Sequence, residues 1–90
     1  MLKEKFLETL DEYTGENITV VTYFVDEMYG RKTIAVITVE EYDDEIVIRG
    51  EGTDFVVLNC KHISMNTEEE NEIEFLFTVD DFTTAVEFLS

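Results

Sequence analysis

The chain has 90 residues, of which 22 are acidic and six are basic, and its formal net charge at pH 7 is −16. Direct binding to DNA, RNA or an anionic membrane needs clustered Lys and Arg, so this charge argues against all three. Apolar residues make up 44% of the chain, which is enough for one hydrophobic core at this length. We therefore expect a single acidic domain over residues 1–90.

The cysteine content and the N-terminal residues bear on the cellular compartment. Cys60 is the only cysteine and cannot form an internal disulfide. The first six residues alternate charged with apolar side chains, unlike a signal peptide, and no later stretch has the length of a transmembrane helix. We therefore expect a cytoplasmic protein.

The first predicted element is an amphipathic helix over residues 2–14. Apolar residues recur on one side of it, at Leu2, Phe6 and Leu10, with the spacing of successive helical turns. Gly15 can end this helix by adopting a left-handed backbone conformation, which costs glycine no steric strain.

Five short segments rich in β-branched and aromatic residues follow, each bounded by glycine or by charged residues. This composition favours strands, and the short connections favour antiparallel neighbours. Residues 26–32, which include Gly30, are interpreted as a hairpin loop, and residues 67–71 as a solvated turn. The fourth strand can extend towards Met65 through a bulge. The predicted strands cover residues 17–25, 33–39, 45–49, 55–60 and 72–79.

A short C-terminal helix completes the prediction. Four apolar residues lie at i, i+3, i+4 and i+7, and Thr78 or Asp80 can cap the first turn. The order α-β-β-β-β-β-α predicts an α+β fold, with two helices packed on one curled, antiparallel five-stranded sheet. A partly open small barrel is the alternative, since one helix followed by five short strands resembles the outline of Sm-like barrels. The four apolar residues are Phe82, Ala85, Val86 and Leu89.

Candidates for catalysis or metal binding are few. On a regular strand Cys60 and His62 would point the same way about 6.8 Å apart, beyond hydrogen-bond reach, so they do not make a catalytic couple. The acidic segments 43–45 and 68–72 lack the residue spacing of a calcium loop, and 50–52 lacks the lysine and following helix of a phosphate loop. We expect a protein that is not an enzyme and that holds no cofactor.

The acidic residues themselves are the candidate site. They concentrate in predicted turns and on outward strand faces, where two carboxylates at i and i+2 are about 6.8 Å apart. That spacing is of the same order as the spacing of phosphates along a nucleic-acid strand. The residues predicted to bind a partner are Glu40, Glu41, Asp43, Asp44, Glu45, Glu68, Glu69, Glu70, Glu72 and Glu74.

In size, charge and mixed order of helices and strands the chain resembles small phage-encoded inhibitors of nucleic-acid enzymes, such as the uracil-DNA glycosylase inhibitors. The resemblance implies a mimic of DNA or RNA that occupies the basic channel of a nuclease, glycosylase, restriction enzyme or CRISPR effector. Long-range attraction between opposite charges would speed its capture at low salt.

An ordinary acidic regulatory or protein-interaction module is the alternative hypothesis. Met28 and Tyr29 lie at the predicted hairpin tip, where they can anchor a hydrophobic contact with a partner. An exposed strand edge can also pair two copies of the chain into a homodimer. We expect the partner to be the basic surface of a protein, such as a nucleic-acid-binding enzyme, and we expect no direct binding to nucleic acid or membrane.

Overall fold

The structure, a computed structural model, describes residues 2–69 and 72–89 of the chain. Over those residues it has one helix and eight strands, and all strand pairs are antiparallel. The elements are α1 (Leu2–Glu12), β1 (Asn17–Phe24), β2 (Glu27–Ala35), β3 (Thr38–Glu41), β4 (Glu45–Arg49), β5 (Phe55–Asn59), β6 (Ile63–Glu69), β7 (Glu72–Val79) and β8 (Phe82–Leu89).

The strands form two open sheets. One has five strands in the order β2-β1-β8-β7-β6, and the other has three in the order β3-β4-β5. The chain makes the β1–β2 hairpin, crosses to build the three-stranded sheet, and returns with β6, β7 and β8. The returning meander joins the first hairpin because β8 pairs with β1.

Buried side chains from the helix and from both sheets form one hydrophobic cluster. On β1, β7 and β8 every second residue faces this cluster, as the alternation of side chains along a strand requires. Helix α1 contributes the side chains of one face. The cluster consists of Phe6, Leu10, Ile18, Val20, Ile34, Val36, Ile46, Ile48, Leu58, Phe75, Phe77, Val86 and Phe88.

Phe6 of α1 lies against the aromatic residues of the five-stranded sheet. Its ring centroid is 5.0 Å from that of Phe75, 4.8 Å from that of Phe77 and 5.9 Å from that of Phe88. The contacts with Phe75 and Phe77 are edge-on, the geometry that aromatic pairs prefer. These contacts hold the helix over the inner face of β7 and β8.

The predicted α+β fold with a C-terminal helix is wrong, because residues 82–89 form strand β8 and the fold is mostly β. The apolar spacing of this segment suits a helix, but Phe82, Val86 and Phe88 also alternate at strand spacing. Backbone hydrogen bonds to β1 on one edge and to β7 on the other decide between the two. A short helix in this segment would not make these hydrogen bonds to two neighbouring strands, and the nucleation of a helix costs free energy.

The predicted single five-stranded sheet, and its partly open barrel alternative, are also wrong. The predicted strand 33–39 is divided at Val36 and Ile37 between β2 of one sheet and β3 of the other. Val36 is fully buried, its N–H donates to Glu16 O, and its carbonyl accepts from Gly15 N. These bonds to the turn after α1 fix the point at which the chain changes sheet.

Two further boundaries differ from the prediction. The loop predicted over 26–32 is a tight turn at Val25 and Asp26, and β2 begins directly after it. The fourth predicted strand does not run on to Met65, because β5 ends at Asn59 and β6 begins at Ile63 in the other sheet. Residues 70 and 71 of the predicted 67–71 turn lie outside the described residues, and residues 67–69 belong to β6.

Several predicted elements are confirmed. The helix begins at Leu2 and ends two residues earlier than predicted, and Gly15 adopts the expected positive φ, here 89°. The predicted strands at 17–25, 45–49 and 72–79 are β1, β4 and β7 to within one residue. Local sequence patterns therefore predicted the N-terminal helix and these three strands correctly.

Gly50, directly after β4, lies against Ile34 and Ala35 of β2, and substitution by alanine tests this contact. An added Cβ at Gly50 would lie 2.8 Å from Ile34 Cγ1 and 3.2 Å from the Ala35 carbonyl oxygen. We expect Gly50→Ala to lower the free energy of unfolding by roughly 1–3 kcal/mol, because the buried Ile34 side chain and the Ala35 carbonyl have no free space to move into. Chemical denaturation monitored by circular dichroism measures the loss.

Gly30→Ala is the matched control for this substitution. An added Cβ at Gly30 meets no atom within 4 Å, so the free energy of unfolding should change by no more than about 0.5–1 kcal/mol. Equal losses in the two variants would contradict the close approach of the two sheets at Gly50.

Candidate partner-binding surface

The β3–β4 hairpin gathers the first predicted acidic cluster at one tip. Glu40 and Glu41 end β3, Asp43 and Asp44 form the bend, and Glu45 begins β4. All of these side chains except that of Glu40 are exposed. A tight antiparallel connection concentrates charge in this way because it leaves no room to spread neighbouring residues apart.

Helix α1 lies beside β3, and contacts at both of its ends hold it there. Near the start of the helix, Lys3 Nζ donates to the carbonyl oxygens of Tyr42 at 2.9 Å and of Asp43 at 3.1 Å, and it is 3.4 Å from the Glu41 carboxylate. After the helix, Gly15 N donates to Val36 O at 2.7 Å. The helix therefore runs along the edge of the three-stranded sheet.

A groove of ≈ 340 Å³ separates the helix from β3, and we call it the acidic groove. Its apolar lining includes Leu7 and Val39, and carboxylates stand on both of its walls, Asp11 on the helix and Glu41 on β3. The residues that line the acidic groove are Leu7, Leu10, Asp11, Thr14, Ile37, Val39 and Glu41.

The helix adds acidic residues that the sequence did not single out as a site. Glu4, Glu8 and Glu12 are exposed and follow one another at i and i+4, so they lie on one side of the helix next to Asp11. The helical pattern was visible in the sequence, but the position of the helix beside the 40–45 cluster was not. Tertiary packing alone brings Asp11 of the helix and Glu41 of the cluster to the same groove, whereas Glu4 and Glu8 line a separate depression with Lys5.

Glu40 forms an ion pair with Arg49 within the protein. Arg49 donates from Nε to Glu40 Oε2 and from Nη2 to Glu40 Oε1, both at 3.1 Å, and Tyr42 OH donates to Oε1 at 3.3 Å. The hydrogen bonds from Arg49 hold the pKa of the Glu40 carboxyl below its usual value, with its charge and the Tyr42 hydroxyl acting in the same direction. Glu40 therefore stays charged but turns towards β4.

The second predicted cluster lies on the other sheet. Glu72 is exposed, and Glu74 is half-buried opposite Glu87 of β8. Like charges that face each other across strands repel, so this pair raises the negative potential of the outer face. Glu87 was missed in the sequence because its segment was interpreted as a helix.

The structure does not unite the two predicted clusters on one sheet. The 40–45 cluster belongs to the three-stranded sheet, and Glu72 and Glu74 belong to β7 of the five-stranded sheet. Glu68 and Glu69 are in β6 with side chains that are not described, and Glu70 lies outside the described residues. The candidate site is therefore the acidic groove with the β3–β4 tip.

Cys60 and His62 lie after β5, where His62 is exposed and Cys60 is half-buried. Burial raises the pKa of the Cys60 thiol, and the negative charges of Asp44 and Glu41 raise it further, against the opposing effect of Lys3. A thiol with a raised pKa is a poor nucleophile at neutral pH. Over residues 2–69 and 72–89, no group of three His, Cys, Asp or Glu side chains could hold a metal ion.

Comparison of the chain with protein-family models, with curated proteins and with solved structures finds no match. The one helix within the described residues is too short and too polar to cross a membrane. A functional assignment therefore rests on the geometry and charge of the surface.

The ion pair between Arg49 and Glu40 predicts how the Glu40 carboxyl titrates. Because the folded-state pKa is lowered, the stabilising contact is fully present above the unfolded-state pKa and is lost as the pH falls through the folded-state pKa. We expect Arg49→Gln to raise the Glu40 pKa towards its ordinary value, as measured by a ¹³C NMR titration of the carboxyl carbon.

Lys32→Gln provides the control for this titration, because Lys32 pairs with Asp54 and not with Glu40. It removes the same charge and should leave the Glu40 titration unchanged. A Glu40 midpoint that responds equally to both substitutions would show that net charge, not the contact with Arg49, sets the pKa.

Proposed function

We propose that this chain is a small, acidic, non-enzymatic binding protein that inhibits a nucleic-acid-handling protein by occupying its basic channel. The acidic groove is the observation that carries the proposal, because two elements far apart in sequence place carboxylates on both of its walls. The partner is a basic protein surface, and the protein acts in the cytoplasm without contacting nucleic acid or membrane itself.

The groove has the chemistry that a partner's Lys or Arg side chain requires. Long basic side chains bury an apolar stem while the charged head reaches an acceptor, and here Leu7 and Val39 line the same groove as Asp11 and Glu41. Lys3 of the chain itself shows that the neighbouring β3–β4 tip binds an ammonium group, through two carbonyl oxygens and the Glu41 carboxylate.

The spacing of the helix carboxylates supports imitation of a nucleic-acid backbone. Residues four apart on a helix are separated by about 6 Å along its axis, of the same order as the spacing of phosphates along one strand. Glu4, Glu8 and Glu12 follow that spacing on an exposed face. A channel that binds phosphates at regular intervals can therefore meet carboxylates at similar intervals.

Capture of the partner from host-cell lysate at low salt tests the proposal directly. The immobilised protein should retain a nucleic-acid-handling protein that rising salt releases steeply and that duplex DNA displaces, since both compete for the same basic channel. Mass spectrometry identifies the retained protein. Retention that neither salt nor DNA affects would overturn mimicry.

Charge reversal in the acidic groove, at Asp11, or at the β3–β4 tip, at Glu45, should weaken binding of the captured partner. We expect Asp11→Lys and Glu45→Lys each to reduce affinity by about tenfold or more and to flatten the salt dependence, because each places a cation against the partner's cations. Asp11 is in the last helical turn, which has no basic residue, so lysine there favours the helix dipole and should not unfold the protein.

Glu51→Lys is the matched control, since it makes the same change of charge in the loop at the opposite end of β4. It should leave affinity within about twofold, because only general attraction is altered. If Glu51→Lys weakens binding as much as Asp11→Lys does, net charge and not the groove accounts for the interaction. Titration calorimetry or surface plasmon resonance at several salt concentrations gives the comparison.

A further inference from the structure

The inner face of the five-stranded sheet is buried at one end and exposed at the other. Along β1 and β8 the inward pairs run from Val20 with Val86, both buried, to Phe24 with Phe82, both exposed. The strands of this sheet are seven to nine residues long, whereas those of the three-stranded sheet are four or five. The longer strands therefore extend beyond the layer that covers them.

We call the uncovered end the overhang, and its aromatic rings contact one another. The rings of Phe24 and Phe82 are 5.0 Å apart, and Tyr29 meets Phe82 edge-on at 6.5 Å. A bulge in β2 inserts Tyr29 as an extra residue between the pairs Met28–Tyr23 and Gly30–Thr22, which re-aims its side chain. Tyr29 remains 74% exposed. The overhang consists of Phe24, Val25, Tyr29, Val79 and Phe82.

Backbone strain at Val25 sets this surface apart from an ordinary hairpin end. Val25 has φ of 57°, a conformation that is a true outlier for a β-branched residue and that glycine or asparagine adopts far more easily. Its side chain is nonetheless 58% exposed. The chain thus keeps an exposed apolar residue at a position where folding alone favours glycine, and such strain is concentrated at functional sites.

The overhang continues into a groove of ≈ 300 Å³ between the two sheets. Thr22 and Thr84 of the five-stranded sheet, Tyr29 of β2 and residues 55–57 of β5 line this groove. This volume is at the lower limit of small-molecule pockets, and it suits one large apolar side chain. Arg31 and Lys32 also line this groove. The carboxylates that border the overhang therefore lie in and next to its turns and not in the groove.

Four exposed carboxylates border the overhang: Asp26 in the turn before β2, Glu27 at the start of β2, and Asp80 and Asp81 in the turn before β8. The turns are joined by a hydrogen bond from Val25 N to Asp81 O at 2.8 Å. A second copy docked here would bring its own four carboxylates against these, which is unfavourable. A partner with an apolar anchor flanked by basic residues complements both features.

We propose that the overhang is a second binding surface, which takes a peptide-like segment of a partner protein through an apolar anchor and neighbouring Lys or Arg residues. An apolar centre surrounded by charged residues is the usual anatomy of a specific interface. The anchor packs against Phe24, Tyr29 and Phe82, and the basic residues pair with the turn carboxylates. Binding here does not require the acidic groove to imitate nucleic acid.

A displayed library of random peptides, selected against the full-length protein at physiological salt, tests the proposal. The enriched peptides should combine an aromatic or long aliphatic residue with adjacent Lys or Arg. Their affinity, measured by fluorescence polarisation, should fall by at least about tenfold in Phe82→Ser. Failure to enrich any peptide, or enrichment of peptides without basic residues, overturns the proposal.

Ile37→Ser is the matched control, because Ile37 and Phe82 are both 47% exposed and Ile37 lines the acidic groove instead. It should leave peptide affinity unchanged. Peptides that lose affinity in Ile37→Ser or Asp11→Lys, but not in Phe82→Ser, bind the acidic groove. That result overturns the overhang as a site and leaves the proposed function standing.

Val25→Gly separates binding from folding. Relief of the positive φ should raise the thermal midpoint by roughly 4 °C or more, while loss of the apolar side chain should weaken peptide binding several-fold. A thermal midpoint that rises while peptide affinity stays unchanged overturns the proposal that the overhang, as defined with Val25, is the binding surface. Analytical ultracentrifugation tests whether a second copy of the chain occupies the overhang. A wild-type dimer that dissociates in Phe82→Ser would show that it does, and would overturn the proposal.

Discussion

Strand β8 pairs along both edges, with β1 on one side and β7 on the other, and these two ladders hold the five-stranded sheet together. Without them the sheet would separate into the β1–β2 hairpin and the β6–β7 pair. Val86 and Phe88 bring the same strand into the core, where Phe88 meets Phe6 of the helix. Isolated hairpins are marginal in water, so this central strand supports the whole arrangement, including both candidate surfaces.

The cost of concentrating negative charge is limited by where the few basic residues lie. Lys3, Lys32 and Arg49 pair with Glu41, Asp54 and Glu40, and each pair joins segments that are distant or on neighbouring strands. Exposed pairs stabilise a fold only slightly. Their larger effect is to position the segments that they join. Lys3 holds the helix beside the acidic β3–β4 tip, and the acidic groove lies between the helix and β3.

The two candidate surfaces rely on different physics. The acidic groove attracts a basic partner over a distance, and its contribution should fall as salt screens the charges. The apolar anchor of the overhang acts at contact, through removal of apolar area from water, and salt screens only the ion pairs with its turn carboxylates. A protein with both can be captured rapidly by charge and then held by an apolar anchor, a division of roles between association rate and residence time.

The sequence by itself determined the acidic character, the helix at the N-terminus and the strands with clear alternation, because composition and local periodicity act over a few residues. It could not decide the state of residues 82–89, whose apolar spacing suits both a helix and a strand; pairing with β1 and β7 decided it. It also could not show that Asp11 and Glu41 share one groove, or that Phe24 and Phe82 meet in the overhang. Those contacts join residues 30 or more positions apart, and only long-range packing and strand pairing bring such residues together.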